Sequence, residues 1–276
     1  MLTSLVFKLI APTAAELPPS LGRAAQALFY RLLDRYDPAL ATAIHDAEGI
    51  KPYTASNLIL GTRFGRLRRV SAGQTGWLRF TGLTAEVSRT LLTIAANPPD
   101  RIELDNILFA VTAATVNPTE HPWAAHIRYQ DFAAPHLLGG NPRPHRRITI
   151  TFESPTTFRS QKKFILFPLP EQVFGGLLMR WQQFAPVALN PEVRRFAEEV
   201  VTVSKYNLRT ASMPYKKGGV QVGFIGEATF LAHNSDRYWL NTLHLLANYA
   251  FFSGIGYQTT TGLGQARTSA RSQITP

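Results

Sequence analysis

The chain has 276 residues, 45% of them hydrophobic, with 29 Lys and Arg against 18 Asp and Glu for a formal net charge of +11. That length fits one large or two ordinary domains, and the positive excess makes a polyanion the expected partner, nucleic acid first and an anionic membrane surface second. The absence of cysteine excludes disulfides and thiolate metal sites and suits a cytoplasmic protein, and no uninterrupted run of about 18 apolar residues offers a membrane span.

Residues 2–10 are β-rich and read as a buried first strand; Lys8 interrupts the apolar run and no basic region precedes it, so a strand is expected there rather than a signal peptide. After a Pro-bounded linker, a helix is predicted over residues 22–36, with Phe29, Leu32, Leu33 and Tyr36 on one face and Tyr30 on its flank. Asp37-Pro38 supplies an N-cap and first position for a short helix that turns Leu40 and Ile44 inward and ends near His45. Gly49 turns the chain, and residues 51–60 lead into a strand. Arg63, Arg66, Arg68 and Arg69 follow; then come a strand over 76–81, a helix over 84–96 and a strand over 102–115. The order β-α-β-β-α-β is that of a ferredoxin-like module.

Residues 117–147 are rich in Pro, Gly and His, and the domain boundary is expected there, giving units 1–140 and 141–276. The same element order then returns: a strand over 147–158, a helix over 171–184, a supplementary helix over 191–200, and a basic hairpin of 201–210 and 220–231. A helix over 236–252 and a last strand over 264–268 complete it. The predicted class is α+β, two tandem ferredoxin-like (RRM-like) modules.

Between that last helix and strand lies SGIGYQTTTGLGQAR, whose Gly254, Gly256, Gly262 and Gly264 form two Gly-x-Gly pairs, with Arg267 just beyond. Glycine permits otherwise closed backbone angles and close backbone approach, and successive free N–H groups in such turns cradle phosphate. Gln265 stands where a P-loop would continue with Lys-Ser/Thr, so this is not a P-loop. A helix end followed by a hairpin turn explains the same glycines.

RNA or DNA cleavage through metal ions needs converging carboxylates. The best local cluster is Asp100, Glu103 and Asp105, the last two expected on one face of a strand, and it reads more simply as an exposed strand end. His121 and His126 show no ligand spacing and read as loop residues. The metal-free route works only on RNA: a ribose 2′-OH attacks its own 3′-phosphate while the enzyme aligns it, moves two protons and stabilises charge. Histidine serves either proton step, lysine steadies the phosphorane oxygens and tyrosine orients or deprotonates the nucleophile. Tyr30, His45 and Lys51 are one such set. Each also reads as ordinary structure: a flank tyrosine, a polar residue at a helix end and a solvated turn lysine.

Residues 28–56, LFYRLLDRYDPALATAIHDAEGIKPYTAS, resemble the N-terminal signature of the CRISPR-associated RNA-processing endoribonucleases of the RAMP (repeat-associated mysterious protein) superfamily. FESPTTFR (152–159), VGFIGEATF (222–230) and GIGYQTTTGLGQAR (254–267) are similar to the same family, in the same order. The resemblance implies tandem ferredoxin-like domains and metal-independent cleavage of CRISPR precursor RNA within each repeat, leaving a 2′,3′-cyclic phosphate (or 3′-phosphate) and a 5′-hydroxyl, with no cofactor and no metal. It implies His45 as general acid or base, Tyr30 as the residue activating the 2′-OH, Lys51 as the charge stabiliser, and the glycine loop with Arg267 as an RNA-backbone contact. Lys205, Arg209, Lys216 and Lys217 of the basic hairpin are expected to grip RNA, as are Arg146, Arg147 and Arg159; solvated loops explain them equally. The expected partners are CRISPR repeat RNA and, as a candidate, a CRISPR effector complex, with no membrane and a monomeric or homodimeric state. The rival reading is a non-catalytic subunit holding guide RNA in such a complex.

Overall fold

Leu2–Ile10 (β1) runs through the middle of its sheet and is buried along almost its whole length. In the computed structural model, which describes residues 1–61, 69–138, 143–214 and 219–269, two compact units appear. The first comprises Met1–Ile127 and Gln258–Leu263, the second Arg128–Tyr257 and Gly264–Pro276. Arg63, Arg66, Arg68, Lys216 and Lys217 lie outside the described residues.

In the first unit, β2 (Ala15–Glu16) precedes α1 (Gly22–Tyr36) and α2 (Pro38–Asp46), the latter capped by the Asp37 carboxylate accepting from the Leu40 N–H at 3.1 Å. Then come β3 (Tyr53–Ala55), β4 (Ile59–Leu60), β5 (Arg69–Val70), β6 (Thr75–Gly82) and α3 (Ala85–Ala96). The unit closes with β7 (Arg101–Leu104), β8 (Ile107–Thr115) and β9 (Ala125–Ile127). The sheet order β3-β6-β1-β8-β7 is antiparallel and contains the ferredoxin-like 2-3-1-4 arrangement of strands. One face packs Phe7, Phe29 and Phe80 in edge and tilted contacts under the helices.

The single strand expected over 102–115 is in fact a hairpin. Asp105 and Asn106 take φ of 54° and 63°, the left-handed pair that a two-residue turn requires and that short polar side chains tolerate. Asp105 is therefore in the turn and shares no strand face with Glu103, which disposes of the carboxylate pair. The Pro- and His-rich stretch expected to hold the domain boundary also folds: Ala125–Ile127 pairs with β1, with His126 Nδ1 2.9 Å from the Thr3 hydroxyl, so His126 is a strand residue.

The other face of this sheet carries Trp77, which alternates with Leu78 and Phe80 along β6. The His121 ring lies 4.9 Å from that of Trp77, and its Nδ1 accepts the Trp123 N–H at 3.2 Å. Burial, and secondarily the charges of Lys8 and Arg79, lower its pKa to about 4. The folded state thus binds the proton less well than the unfolded chain. Stability contributed by neutral His121 is complete above the unfolded value near 6.5, falls as pH drops and is spent by about 4. Thermal unfolding followed from pH 7 to pH 4 should show a shallower acid loss for His121→Gln than for wild type; identical slopes would remove His121 from the acid response.

The second unit begins with α4 (Tyr129–Leu137), unforeseen because its Pro and His content resembles a linker; buried Tyr129 and Ala133, one turn apart, hold it down. There follow β10 (Arg147–Thr156), β11 (Phe158–Ser160), β12 (Lys163–Ile165), α5 (Pro170–Phe184) and α6 (Val193–Val200). Long β13 (Val201–Pro214) and β14 (Val220–Ala232), α7 (Arg237–Ser253) and β15 (Ala266–Thr268) complete the unit. The sheet order β13-β14-β10-β15 repeats the first unit's 2-3-1-4 arrangement. The fold is α+β with tandem ferredoxin-like modules. No described helix is long and apolar enough to cross a membrane.

Candidate active site

Helix α1 buries Ala25, Leu28, Phe29, Leu32 and Leu33, which leaves Tyr30 half-buried on its flank. Phe29 stacks on Tyr53 of β3 with ring centroids 3.9 Å apart, and Tyr30 meets Tyr53 edge-on at 5.9 Å. The His45 ring, at the end of α2, lies 5.9 Å from Tyr30 at an interplanar angle of 73°. Two of the three predicted catalytic side chains are thus neighbours. His45 itself is exposed, and its Nδ1 sits 3.2 Å from the Asp46 carboxylate, an arrangement that favours the Nδ1–H tautomer and gives Nε2 to other chemistry.

Lys51 occupies a more structural position than the sequence suggests. Its ammonium donates to the carbonyls of Ile44 (2.6 Å), His45 (3.1 Å) and Ala47, the orphan acceptors at the end of α2. A cation belongs there, since the C-terminal dipole is negative. The same contacts place a positive charge under the backbone of His45.

Gln26 and Tyr53 were not singled out by sequence reasoning. Gln26 precedes Tyr30 by one helical turn, and its amide nitrogen donates to the Tyr53 hydroxyl at 3.2 Å and the Thr260 hydroxyl at 3.1 Å. The i, i+4 spacing of Gln26 and Tyr30 on α1 was the available signal. Tyr53 is fully buried; burial first, and the Tyr30 hydroxyl second, raise its phenol above the ordinary range, so it stays protonated. A contiguous series therefore runs His45, Tyr30, Tyr53, Gln26, Thr260, all within the first unit.

Thr260 belongs to the glycine stretch, whose middle, Gln258–Leu263, folds with the first unit. The N–H of Ala55 donates to Thr259 O and that of Gly262 to Ala55 O, at 3.1 and 3.0 Å. A Cβ on Gly22, at the start of α1, would sit 2.0 Å from Thr261 O, so only glycine lets the helix end meet this segment. The Asn57 side-chain oxygen ties the same corner, accepting from the N–H groups of Leu21 at 2.7 Å and Leu58 at 3.0 Å.

In the second unit, Gly256 has φ 86°, and a Cβ there would meet Thr157 O at 2.4 Å. Buried Arg180 of α5, also missed from sequence, donates to Gly256 O at 2.7 Å. All four glycines of the two Gly-x-Gly pairs have positive φ. The expectation of a cradle of free N–H groups needs correction, however. The N–H groups of Gly254, Ile255, Tyr257, Thr261, Gly262 and Gly264 donate to main-chain carbonyls, and that of Gln265 to the Ser154 hydroxyl. Gly256 and Gly262 serve close backbone packing, since a Cβ on either would crowd main-chain atoms of Thr157 or Asn57.

The remaining basic candidates all fall in the second unit. Arg267 pairs with Glu153 at 2.9 Å, and Arg146 Nε donates to Ala232 O at 2.7 Å. Arg147, Arg159, Lys205 and Arg209 are exposed. Among the described residues, no three His, Asp or Glu side chains gather as a metal-ligand set.

Two family models match the chain: CRISPR Cas6 N-terminal domain over residues 1–133 and CRISPR-associated endoribonuclease Cas6 over residues 150–266. CRISPR-associated endoribonuclease Cas6 of Mycobacterium tuberculosis (strain ATCC 25618 / H37Rv) is 28% identical over 123 residues, 44% of this chain and 38% of that protein. That of Streptococcus thermophilus is 25% identical over 128 residues, 45% of this chain and 51% of that protein. The matched stretch thus spans about two fifths to one half of these curated relatives. A solved Cas6 product complex is 28% identical with a TM-score of 0.78, covering 98% of this chain and 100% of that one. Thermus thermophilus Cas6 gives 26% and 0.73, with 98% of each chain covered. A Cas6-related protein from Pyrococcus furiosus, at 12% identity, TM-score 0.60 and coverage of 98% and 99%, shares the fold.

Proposed function

Because this chain belongs to the CRISPR-associated endoribonuclease Cas6 family, we propose that it is an endoribonuclease that cuts CRISPR precursor RNA within each repeat to release guide RNAs. The reading rests on the series from His45 through Tyr30, Tyr53 and Gln26 to Thr260, which joins a proton-transfer pair to the segment expected to contact the RNA backbone. The side chains gathered there are an imidazole, phenols, an amide and an ammonium, groups that move protons and steady oxyanions without a metal.

The reaction is an in-line displacement. The 2′-oxygen of the ribose forms a bond to its own 3′-phosphorus while the bond from phosphorus to the next nucleotide's 5′-oxygen breaks. One proton leaves the 2′-OH and one reaches the 5′-oxygen, giving a 2′,3′-cyclic phosphate (or, after opening, a 3′-phosphate) and a 5′-hydroxyl. Tyr30 orients and activates the 2′-OH. His45, through Nε2, carries the proton of the acid or base step, and Lys51 contributes positive charge from the end of α2. Gly254, Gly256, Gly262 and Gly264 shape the backbone contact, while Arg146, Arg147, Arg159, Arg267, Lys205, Arg209, Lys216 and Lys217 hold phosphates.

The test is incubation of the purified protein with its cognate repeat RNA in a metal chelator, with product ends identified by mass spectrometry. One cut with a cyclic phosphate is expected. An absolute requirement for added Mg²⁺ would defeat the proposed mechanism, and tight binding without cutting would make the chain an RNA-holding subunit.

A further inference from the structure

Within residues 158–165 of the second unit, Lys162, Lys163 and Phe164 carry side chains that neither the sheet nor the proposed chemistry uses, next to Arg159, already placed among the phosphate contacts. Strands β11 and β12 close through Gln161-Lys162, at φ 47° and 66°, a two-residue turn more often built from Asn and Gly. The register sets Arg159 directly opposite Phe164, so the two side chains leave the same face of the hairpin. Tyr257, the residue after Gly256, stands against that face. Its ring centroid is 6.1 Å from that of Phe164, inclined at 51°, and 5.7 Å from the Arg159 guanidinium carbon. Arg159 Nη1 lies 3.5 Å from the Tyr257 hydroxyl, and the Tyr257 N–H donates to Thr157 O at 2.8 Å, fixing the ring from behind.

Phe164 is 49% exposed, and the side chains of Arg159, Lys162 and Lys163 are exposed beside it. A large ring held open beside the Arg159 guanidinium and the turn residue Lys162 is poorly suited to an apolar protein surface, whose contact would bury those charges. It suits a polyanion that presents flat apolar faces, which describes an unpaired nucleotide. We infer that Arg159, Phe164 and Tyr257 form a stacking platform for one unpaired base of the bound RNA, with Lys162 and Lys163 meeting the adjoining phosphates. The inference rests on RNA being the ligand, as proposed above, and is independent of which residues cut it.

The experiment titrates labelled cognate repeat RNA at fixed salt with wild type, Phe164→Ala, Phe164→Leu and Phe164→Trp, using the intact repeat and a series with one abasic nucleotide at successive positions. Phe164→Ala and Phe164→Leu should each weaken binding by ~5–150-fold, the range of one lost base stack, and Phe164→Trp should keep it. At one position the abasic nucleotide should weaken wild type comparably and add nothing to Phe164→Ala. Wild-type binding by Phe164→Ala, wild-type binding by Phe164→Leu, or equal abasic losses in wild type and Phe164→Ala would each overturn the platform. A wild type that binds and cuts its repeat while these variants behave identically overturns the platform alone, whereas a wild type that prefers no repeat RNA overturns the proposed function.

Discussion

A repeat RNA carrying a single 2′-deoxyribose at the cut site should be bound but never cleaved. In the proposed reaction the nucleophile belongs to the substrate, and neither Tyr30 nor His45 has anything to deprotonate once that oxygen is gone. The expected loss is complete to the detection limit in a single-turnover assay, whereas binding should weaken by no more than ~10-fold, the value of one hydrogen bond. The comparison is discriminating because an enzyme that activates water, with or without a metal, has no need of that hydroxyl. Continued cutting of the deoxy substrate would end the self-cleavage reading whatever the protein variants did.

The second large effect is expected from His45→Ala, which should slow single-turnover cleavage by ~10²–10⁴-fold, the usual worth of one positioned acid or base. The residue is exposed and supports no core, so stability and repeat binding should stay near wild type. Asp46→Asn is the companion variant. The exposed His45–Asp46 contact is of little use as a stabilising ion pair. Because that contact favours one tautomer, Asp46→Asn should slow single-turnover cleavage in the wild-type background and have no further effect on His45→Ala. A His45→Ala protein that cuts at the wild-type rate would assign the proton step elsewhere and favour the RNA-holding alternative.

What could be read from sequence here was whatever depends on local rules. The apolar spacing of α1 and the Asp37-Pro38 start of α2 gave the helices that carry Tyr30 and His45. The Gly-x-Gly pairs marked positive φ. A dihedral preference does not say whether an N–H faces a ligand or a carbonyl of its own chain, and here those of Gly254, Gly262 and Gly264 meet carbonyls. The Asp105-Asn106 turn was hidden by the apolar run continuing on both sides of it. The contact from Gln26 to Thr260, 234 residues apart, has no local signature at all, and neither does the grip of Arg180 on Gly256. Lys51 illustrates a third kind of difficulty: a lysine after a helix reads the same whether it caps carbonyls or meets phosphate.

The six residues Gln258–Leu263 lie close to the end of the 276-residue chain yet fold with the unit that begins it. During synthesis, which runs from the N-terminus, α1 and β3 exist long before the segment that completes their corner. A nascent or prematurely terminated chain therefore lacks the Thr260 partner of Gln26, and with it the end of the series that begins at His45. The corner that joins Gln26 to Thr260 can therefore form only after residues 258–263 have been made, however early α1 and β3 fold.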